Sequence, residues 1–176
     1  MSAPLDDLTV QVTDLIDRPG ASRPVDLALP VPGGFVLPLA EVAAPVRLAG
    51  VIESVVDGLL VRGTVEAEVT LSCARCLADI DGDATVDVVE LFSDPATIDP
   101  DAEQDEGYAL GDGTLHLDAL LRDALATAIP LRALCTAGCA GICPRCGVDR
   151  NQTVCVCVED SRDPRWAALE DLLSSD

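Results

Sequence analysis

The strongest pattern in the chain is an alternation over residues 61–71. Val61, Gly63, Val65, Ala67, Val69 and Leu71 fall on one side, and Arg62, Thr64, Glu66, Glu68 and Thr70 on the other. Period two with a small or apolar residue at every odd position predicts a half-buried strand. The run before it, PVRLAGVIESVV from Pro45, is also largely apolar. Asp57-Gly58 joins the two runs and suits a tight hairpin, because that dipeptide supplies positive φ angles. A third strand is expected over Thr85–Ser93, which leaves Cys73-Ala-Arg-Cys76 at the turn before it, with both sulfurs able to face one ion.

Elsewhere the pattern is weaker. Residues 5–16 alternate through Leu8, Val10 and Val12 and predict a short strand. Residues 18–39 contain five prolines and three glycines. That density predicts an irregular arm that is ordered or semi-ordered. Residues 94–113 read as an acidic loop. Leu117–Ile129 predicts a helix with Asp118 as N-cap, Leu120, Leu121, Leu125 and Ala128 on one face, and Pro130 as its end. Asp163-Pro-Arg-Trp-Ala-Ala-Leu-Glu-Asp-Leu-Leu173 predicts a short amphipathic helix, with Asp163 as cap and Pro164 in the first turn. No internal repeat is present. The expectation is an α+β protein: an antiparallel β-rich body over residues 1–129, one or two helices, and a C-terminal module over residues 130–176.

Composition narrows the chemistry. The apolar fraction is 49 %, enough for a core, but with one Trp, one Tyr and two Phe that core must be built from Val, Leu, Ile and Ala. All eleven basic residues are arginine, which fits GC-rich codon usage. Residues 1–129 carry 24 acids against 6 arginines, whereas residues 130–176 carry 7 against 5. Such an acidic body repels phosphates, so direct nucleic-acid contact falls to the C-terminal part, and the body suits a basic protein partner. The N-terminus lacks a basic n-region, and no run of apolar residues is long enough to cross a bilayer, so a cytoplasmic location is expected and no membrane role. Thiols stay reduced there, and eight cysteines then point to metal before disulfides.

Six of those cysteines lie within the 23 residues CTAGCAGICPRCGVDRNQTVCVC, from Cys135 to Cys157. Cys143-Pro-Arg-Cys146-Gly is a zinc-knuckle pattern, and Cys155-Val-Cys157 supplies two further sulfurs after one chain reversal. Cys73/Cys76 and Cys135/Cys139 also have chelating spacing. The preferred division is two four-cysteine zinc sites, Cys73, Cys76, Cys135 and Cys139 in one, and Cys143, Cys146, Cys155 and Cys157 in the other. The first would clamp the sheet turn to the end of the helix, and the second would fold the tail. Spacing alone also admits other pairings, such as Cys135/Cys139 with Cys143/Cys146. A four-thiolate site has no open position and is structural; it contributes roughly 10–16 kcal/mol to folding at neutral pH. The plainer reading, buried thiols without a ligand, fits poorly with six cysteines at ligand spacings beside Gly and Pro.

Other candidates carry less. Asp79–Glu90 imitates a calcium loop, but its glycine falls at position 4 instead of 6, so a turn with a solvated acidic face is expected. His116 is the one histidine, and no nucleophile–base set surrounds it. Neither CxxC pair sits in a βαβ context that would favour redox catalysis. Arg145, Arg150, Arg162 and Arg165 are either ordinary surface charges or a small cationic patch that meets RNA or an acidic partner. Trp166 suits packing of the terminal helix.

These motifs together resemble a family. The run SCARCLADIDGDATVDVVELF resembles the C-x-R-C-L turn and following strand of the YceD family, the large ribosomal RNA subunit accumulation proteins. RDALATAIPLRALC, CAGICPRCGVDRN and DPRWAALEDLL resemble the helix, the cysteine block and the D-P-R-W tail of its Gram-positive and plastid-like branch. The likeness runs from about residue 5 to the end. Ile142 stands where the family usually has Leu, and Val148-Asp-Arg-Asn151 where many members read Ala-x-Leu-Asn. The resemblance implies that Cys73 and Cys76 match a widely shared pair and Cys143 and Cys146 the branch-specific knuckle. It implies that Cys155 and Cys157 fall where relatives carry Cys-x-Cys or His-x-His. It further implies a non-enzymatic role in 23S rRNA accumulation and ribosome biogenesis. The partner would be large-subunit rRNA or its precursor, or a small basic ribosomal protein whose gene often neighbours members of the family. The competing class is a zinc-thiolate redox sensor that binds a transcription partner such as a sigma factor.

Overall fold

A computed structural model describes residues 8–37, 40–93 and 107–157. They group into two compact units. One comprises the residues up to Ala74 with Ala78–Cys135, and the other Arg75–Leu77 with the residues from Thr136 onward.

The first unit is built on a long hairpin. Strand β5 (Gly58–Ser72) pairs antiparallel with β6 (Asp79–Ser93) over its whole length, from Gly58↔Ser93 to Ser72↔Asp79. The alternation expected over 61–71 is present: Val61, Val65, Ala67 and Val69 are buried, while Arg62, Glu66 and Glu68 are exposed. On its other edge β5 pairs first with β4 (Val46–Val55) and then with the short β3 (Ala40–Val42). An edge strand, β2 (Ser22–Leu29), pairs antiparallel with β4, and β7 (Tyr108–Ala109) lies parallel to β6. A separate ribbon joins β1 (Thr9–Gln11) to β8 (Thr114–His116). One helix, α1 (Asp118–Ala128), packs on β6 and β5. The described fold is thus mostly antiparallel sheet with one helix. Residues 163–173, the second expected helix, lie outside the described residues.

Leu120, Leu121, Ala124 and Leu125 of α1 are buried with Leu48, Ile52, Leu59, Val61, Val88 and Phe92 of the sheet. Ala128 is only half-buried, so the helix face turns toward Ala124. The N-cap is Leu117 with no side-chain cap bond; Asp118 is the first helical residue and binds Arg122 one turn on, at 2.7 Å. An acid in the first turn complements the helix dipole without capping it.

Three local expectations change. The Pro-rich segment holds β2, an eight-residue strand. Its alternation, with Val25, Leu27 and Leu29 turned inward, outweighs the prolines because β2 is an edge, where Pro24 need not donate to a ladder. In the first hairpin Val55 pairs with Gly58, so the turn residues are Val56 and Asp57, and the positive φ, 145°, falls on Gly58 alone. Finally, β6 begins six residues before Thr85. Asp79–Glu90 is strand and not a turn, with Asp79, Asp81, Asp83 and Asp87 all on its solvent face.

Gly50 and Gly63 face each other across β4 and β5. A Cβ at Gly50 would run into the Arg62 carbonyl oxygen, and one at Gly63 into that of Ala49. The two strands approach there more closely than side chains allow. Gly50→Val or Gly63→Val should therefore destabilise by about 3 kcal/mol in denaturant unfolding. Gly82→Val, which meets nothing within 4 Å, should be neutral. Equal effects at the three positions would contradict the close approach.

Tyr108 stacks on Phe92 with ring centroids 5.1 Å apart, and its hydroxyl donates to Asp123 Oδ2 of α1 at 2.6 Å. Burial, followed by that carboxylate, pushes the phenol above its ordinary value of 10.0. A raised acid stabilises the fold fully below its unfolded pKa and stops doing so as pH rises through the folded one. The phenolate absorbance of this single tyrosine should therefore rise at higher pH than in free tyrosine, and Asp123→Asn should bring it down. A native titration at the free-tyrosine position would exclude the buried contact.

Candidate metal centres

Two turns of the same design present the first cysteine pairs. In Cys73-Ala-Arg-Cys76-Leu-Ala the Cys73 N–H donates to the Ala78 carbonyl at 2.8 Å. In Cys143-Pro-Arg-Cys146-Gly-Val the Cys143 N–H donates to the Val148 carbonyl, also at 2.8 Å. Each closes a six-residue loop whose fifth residue is left-handed: Leu77 at φ 61° and Gly147 at φ 73°. Glycine adopts that conformation freely, and leucine at a cost of about 1 kcal/mol. In the second loop backbone N–H groups turn inward, toward the sulfur. The Cys143 sulfur accepts from the N–H groups of Cys146 and Arg145.

The sulfurs of Cys73, Cys76, Cys135 and Cys139 lie within 4.8 Å of one another, and so do those of Cys143, Cys146, Cys155 and Cys157. These are the two sets preferred from spacing. The Cys146 and Cys155 sulfurs are 3.7 Å apart. Four thiolates at a zinc–sulfur distance of about 2.3 Å form a tetrahedron with edges of roughly 3.8 Å. The donor set therefore fits a tetrahedral ion. No disulfide joins any of the eight. Cys73, Cys76, Cys139 and Cys143 are buried, whereas Cys135 and Cys146 are exposed.

Further N–H groups reach sulfur. The Cys135 N–H lies 3.5 Å from Cys73 Sγ, the Cys157 N–H 3.4 Å from Cys155 Sγ, and Asn151 Nδ2 3.3 Å from Cys139 Sγ. N–H donors to sulfur spread the charge of a thiolate and strengthen a metal site. The chain around them is tied locally. Arg75 donates from Nη1 to the Cys139 carbonyl at 2.8 Å, and its own carbonyl accepts the Ile142 N–H at 3.0 Å. Gly141, at φ 71°, lies against Arg75, where a Cβ would come within 3.0 Å of the Arg75 carbonyl oxygen. Ile142 pairs with Asp149 in an isolated bridge.

Sequence reasoning missed Asn151 and Arg75. Nothing marks an asparagine in a polar loop as a sulfur partner. The recurrence of Cys-x-Arg-Cys in both turns was the available signal for a shared loop design. Of the arginines singled out, Arg145 is exposed at the tip of the second turn and Arg150 is half-buried in the turn that follows Asp149. Arg162 and Arg165, like Trp166, lie outside the described residues. His116 is exposed on β8.

Residues 61–173, which include all eight cysteines, match the family described as large ribosomal RNA subunit accumulation protein YceD. The chain belongs to the YceD family. This YceD protein is 34 % identical over 176 residues to an uncharacterised protein of Mycobacterium tuberculosis, covering 94 % of this chain and 81 % of that one. A Mycobacterium leprae protein is 33 % identical over 173 residues, covering 94 % and 77 %. YlbN of Bacillus subtilis is 28 % identical over 137 residues, covering 76 % and 77 %. No solved structure matches. Among the described residues of this YceD protein no helix is long and apolar enough to cross a membrane.

The second cluster is electrostatically uneven when its sulfurs carry their own protons. The N–H groups of Cys146 and Arg145 bring Cys143 down from 9.0 to about 6. Its neighbours respond in the opposite sense. Contacts with the Cys146 and Cys155 sulfurs push Cys157 up to about 12. At Cys155 the Cys157 N–H pulls down most strongly, but Cys143, burial and Cys146 together carry the net shift upward. The lowered Cys143 contributes stability that is complete above pH 9 and is lost as pH falls through about 6. In metal-stripped protein, thiolate absorbance should show one ionisation near pH 6 that Cys143→Ala removes. A first ionisation near 9 in the unsubstituted protein would refute the inward-facing N–H groups.

Proposed function

We propose that this YceD protein is a non-enzymatic ribosome biogenesis factor that supports accumulation of 23S rRNA by binding a basic large-subunit protein on its acidic sheet, with two structural zinc ions holding its cysteine-bearing turns. Membership of the YceD family, whose description is large ribosomal RNA subunit accumulation, carries this reading.

The cysteine chemistry supports zinc. Two closed sets of four sulfurs, each met by N–H donors, leave no position open for a substrate. Zn²⁺ bound there would fix chain geometry and supply no reaction. Cys73, Cys76, Cys135 and Cys139 would hold one ion, and Cys143, Cys146, Cys155 and Cys157 the other.

The charge pattern favours a protein partner over rRNA. Along the outer face of the hairpin, Glu68 lies directly opposite Asp83, with Glu66, Asp81 and Asp79 beside them and Glu41 of β3 next to Thr70. The Thr70 hydroxyl donates to Asp81 at 3.1 Å, but nothing neutralises the Glu68–Asp83 pair through an ion pair among the described residues. Like charges placed directly across a sheet are destabilising in isolation and become favourable against a basic surface. Phosphates would meet repulsion on the same face. In this reading Arg145, Arg150, Arg162 and Arg165 are secondary contacts.

Depletion of the protein should lower the ratio of large- to small-subunit rRNA. Wild type should restore it, and a Cys143→Ser, Cys146→Ser version should not. An unchanged ratio on depletion would reject the role. Glu68→Lys with Asp83→Lys should abolish co-purification with large-subunit precursors while leaving thermal stability intact. Retained binding in that variant, with loss in Arg145→Glu, would move the contact to rRNA.

A further inference from the structure

We infer that Asn151 couples the two metal centres, so that filling the second strengthens the first. The inference rests on the zinc reading above and adds a positioning residue that neither cluster's own ligand set contains.

Asn151 lies in the loop 147–154, whose ends are Cys146 and Cys155 of the second cluster. Its side chain points out of that cluster, to the first. Nδ2 donates to Cys139 Sγ at 3.3 Å, while Oδ1 accepts the Ala140 N–H at 2.8 Å. The Ala140 N–H fixes which end of the amide faces which way, since only the oxygen can accept it. The nitrogen is thereby aimed at the sulfur. Asp149 braces the same residue: its Oδ1 accepts both the Asn151 N–H at 2.8 Å and Nδ2 at 2.7 Å, and its Oδ2 accepts Gln152 Nε2 at 3.0 Å. The loop is thus a preformed support for one amide that ends on a thiolate of the other cluster.

The thermodynamics follow. A thiolate that accepts an N–H is a better-stabilised ligand, and loss of such a partner weakens a metal site roughly 10–100-fold. Asn151 reaches Cys139 only when loop 147–154 is closed, and holding Cys146 and Cys155 on one ion closes it. Metal in the second cluster therefore removes the ordering entropy that Asn151 would otherwise cost when the first cluster fills. Linkage makes the effect mutual: metal in the first cluster raises the affinity of the second by the same factor.

The test uses the full chain with cobalt(II) as probe, read through the thiolate-to-cobalt charge-transfer band in competition with a chelator of known affinity. Zinc stoichiometry is measured separately. Asn151→Asp is the sharpest variant, because it keeps an oxygen for the Ala140 N–H and replaces the donor to sulfur with an anion. Asn151→Ala removes both contacts, and Gln152→Ala is the loop control. The Asn151 variants are read in the otherwise wild-type chain, and a Cys146→Ser, Cys155→Ser background, which lacks the second cluster, identifies by difference which step of the titration belongs to the first. Expected are two metals per wild-type chain and a first-cluster affinity lowered roughly 10–100-fold by Asn151→Asp or Asn151→Ala but not by Gln152→Ala. The Cys146→Ser, Cys155→Ser pair should lower first-cluster affinity as well, with no further loss when Asn151→Ala is added. Two metals per chain with unchanged affinity in both Asn151 variants would overturn the coupling and leave the zinc reading standing. So would equal losses from the cysteine pair with and without Asn151. A wild-type chain that takes up no metal would remove both.

Discussion

The pairing of β5 with β6 is the constraint from which the rest of the sheet follows. Fifteen residues on each strand stay in register from Gly58↔Ser93 to Ser72↔Asp79. The register holds because one face of β5 is apolar at every second position, and a one-residue slip would expose all of it. The same register closes the turn at Cys73, whose N–H must reach the Ala78 carbonyl for the strands to reverse. A single backbone geometry thus ends β5, begins β6 and brings Cys73 and Cys76 within chelating distance. β4, β3 and β2 are added on the β5 side, and β7 and α1 on the β6 side.

Much of this was legible in the sequence because it is written in local periodicity. The alternation over 61–71, the reversal at Cys73–Cys76, the helix ending near Pro130 and the chelating cysteine pairs all depend on residues close in the chain; which pairs share a site is a long-range matter that spacing left open. What escaped was decided at longer range. The Ser22–Leu29 strand was hidden by its prolines, which are tolerated because β2 is an edge, a property no local window contains. The facing pair Gly50–Gly63 requires knowing which strands meet and in what register. The left-handed Leu77 is invisible because leucine does not advertise that conformation as Gly147 does; only the shared Cys-x-Arg-Cys spelling links the two turns. Asn151 was missed for a related reason, since its partner sulfur lies outside the loop that carries it.

The chain combines two chemistries that seldom favour each other. A net charge of −20 opposes compaction, and four thiolates gathered around one divalent ion would add further negative charge. N–H groups offset the second effect at the sulfurs themselves, from Arg145, Cys146, Cys135, Cys157 and Asn151. On the acidic sheet face the relief is partial: the Thr70 hydroxyl donates to Asp81 and Arg47 lies across from Glu66, but among the described residues no ion pair reaches Glu68 or Asp83. Like charges facing each other on one sheet face lose their mutual cost against a cationic surface.

The long hairpin also acts as a spacer. Fifteen residues at about 3.3 Å each give arms of roughly 50 Å before twist, whereas the eleven residues of α1 span about 16 Å. Val69 and Ala84, toward the Cys73 end, are buried but fall outside the main core cluster. The half near Phe92 is therefore the one packed in the main core, while the acidic half is held at its far turn, where the Ala74 N–H donates to the Ala133 carbonyl at 2.8 Å and the Cys135 N–H lies 3.5 Å from Cys73 Sγ. A hairpin of this length, fixed at both ends, carries its row of acidic side chains well beyond the span of the helix packed on it.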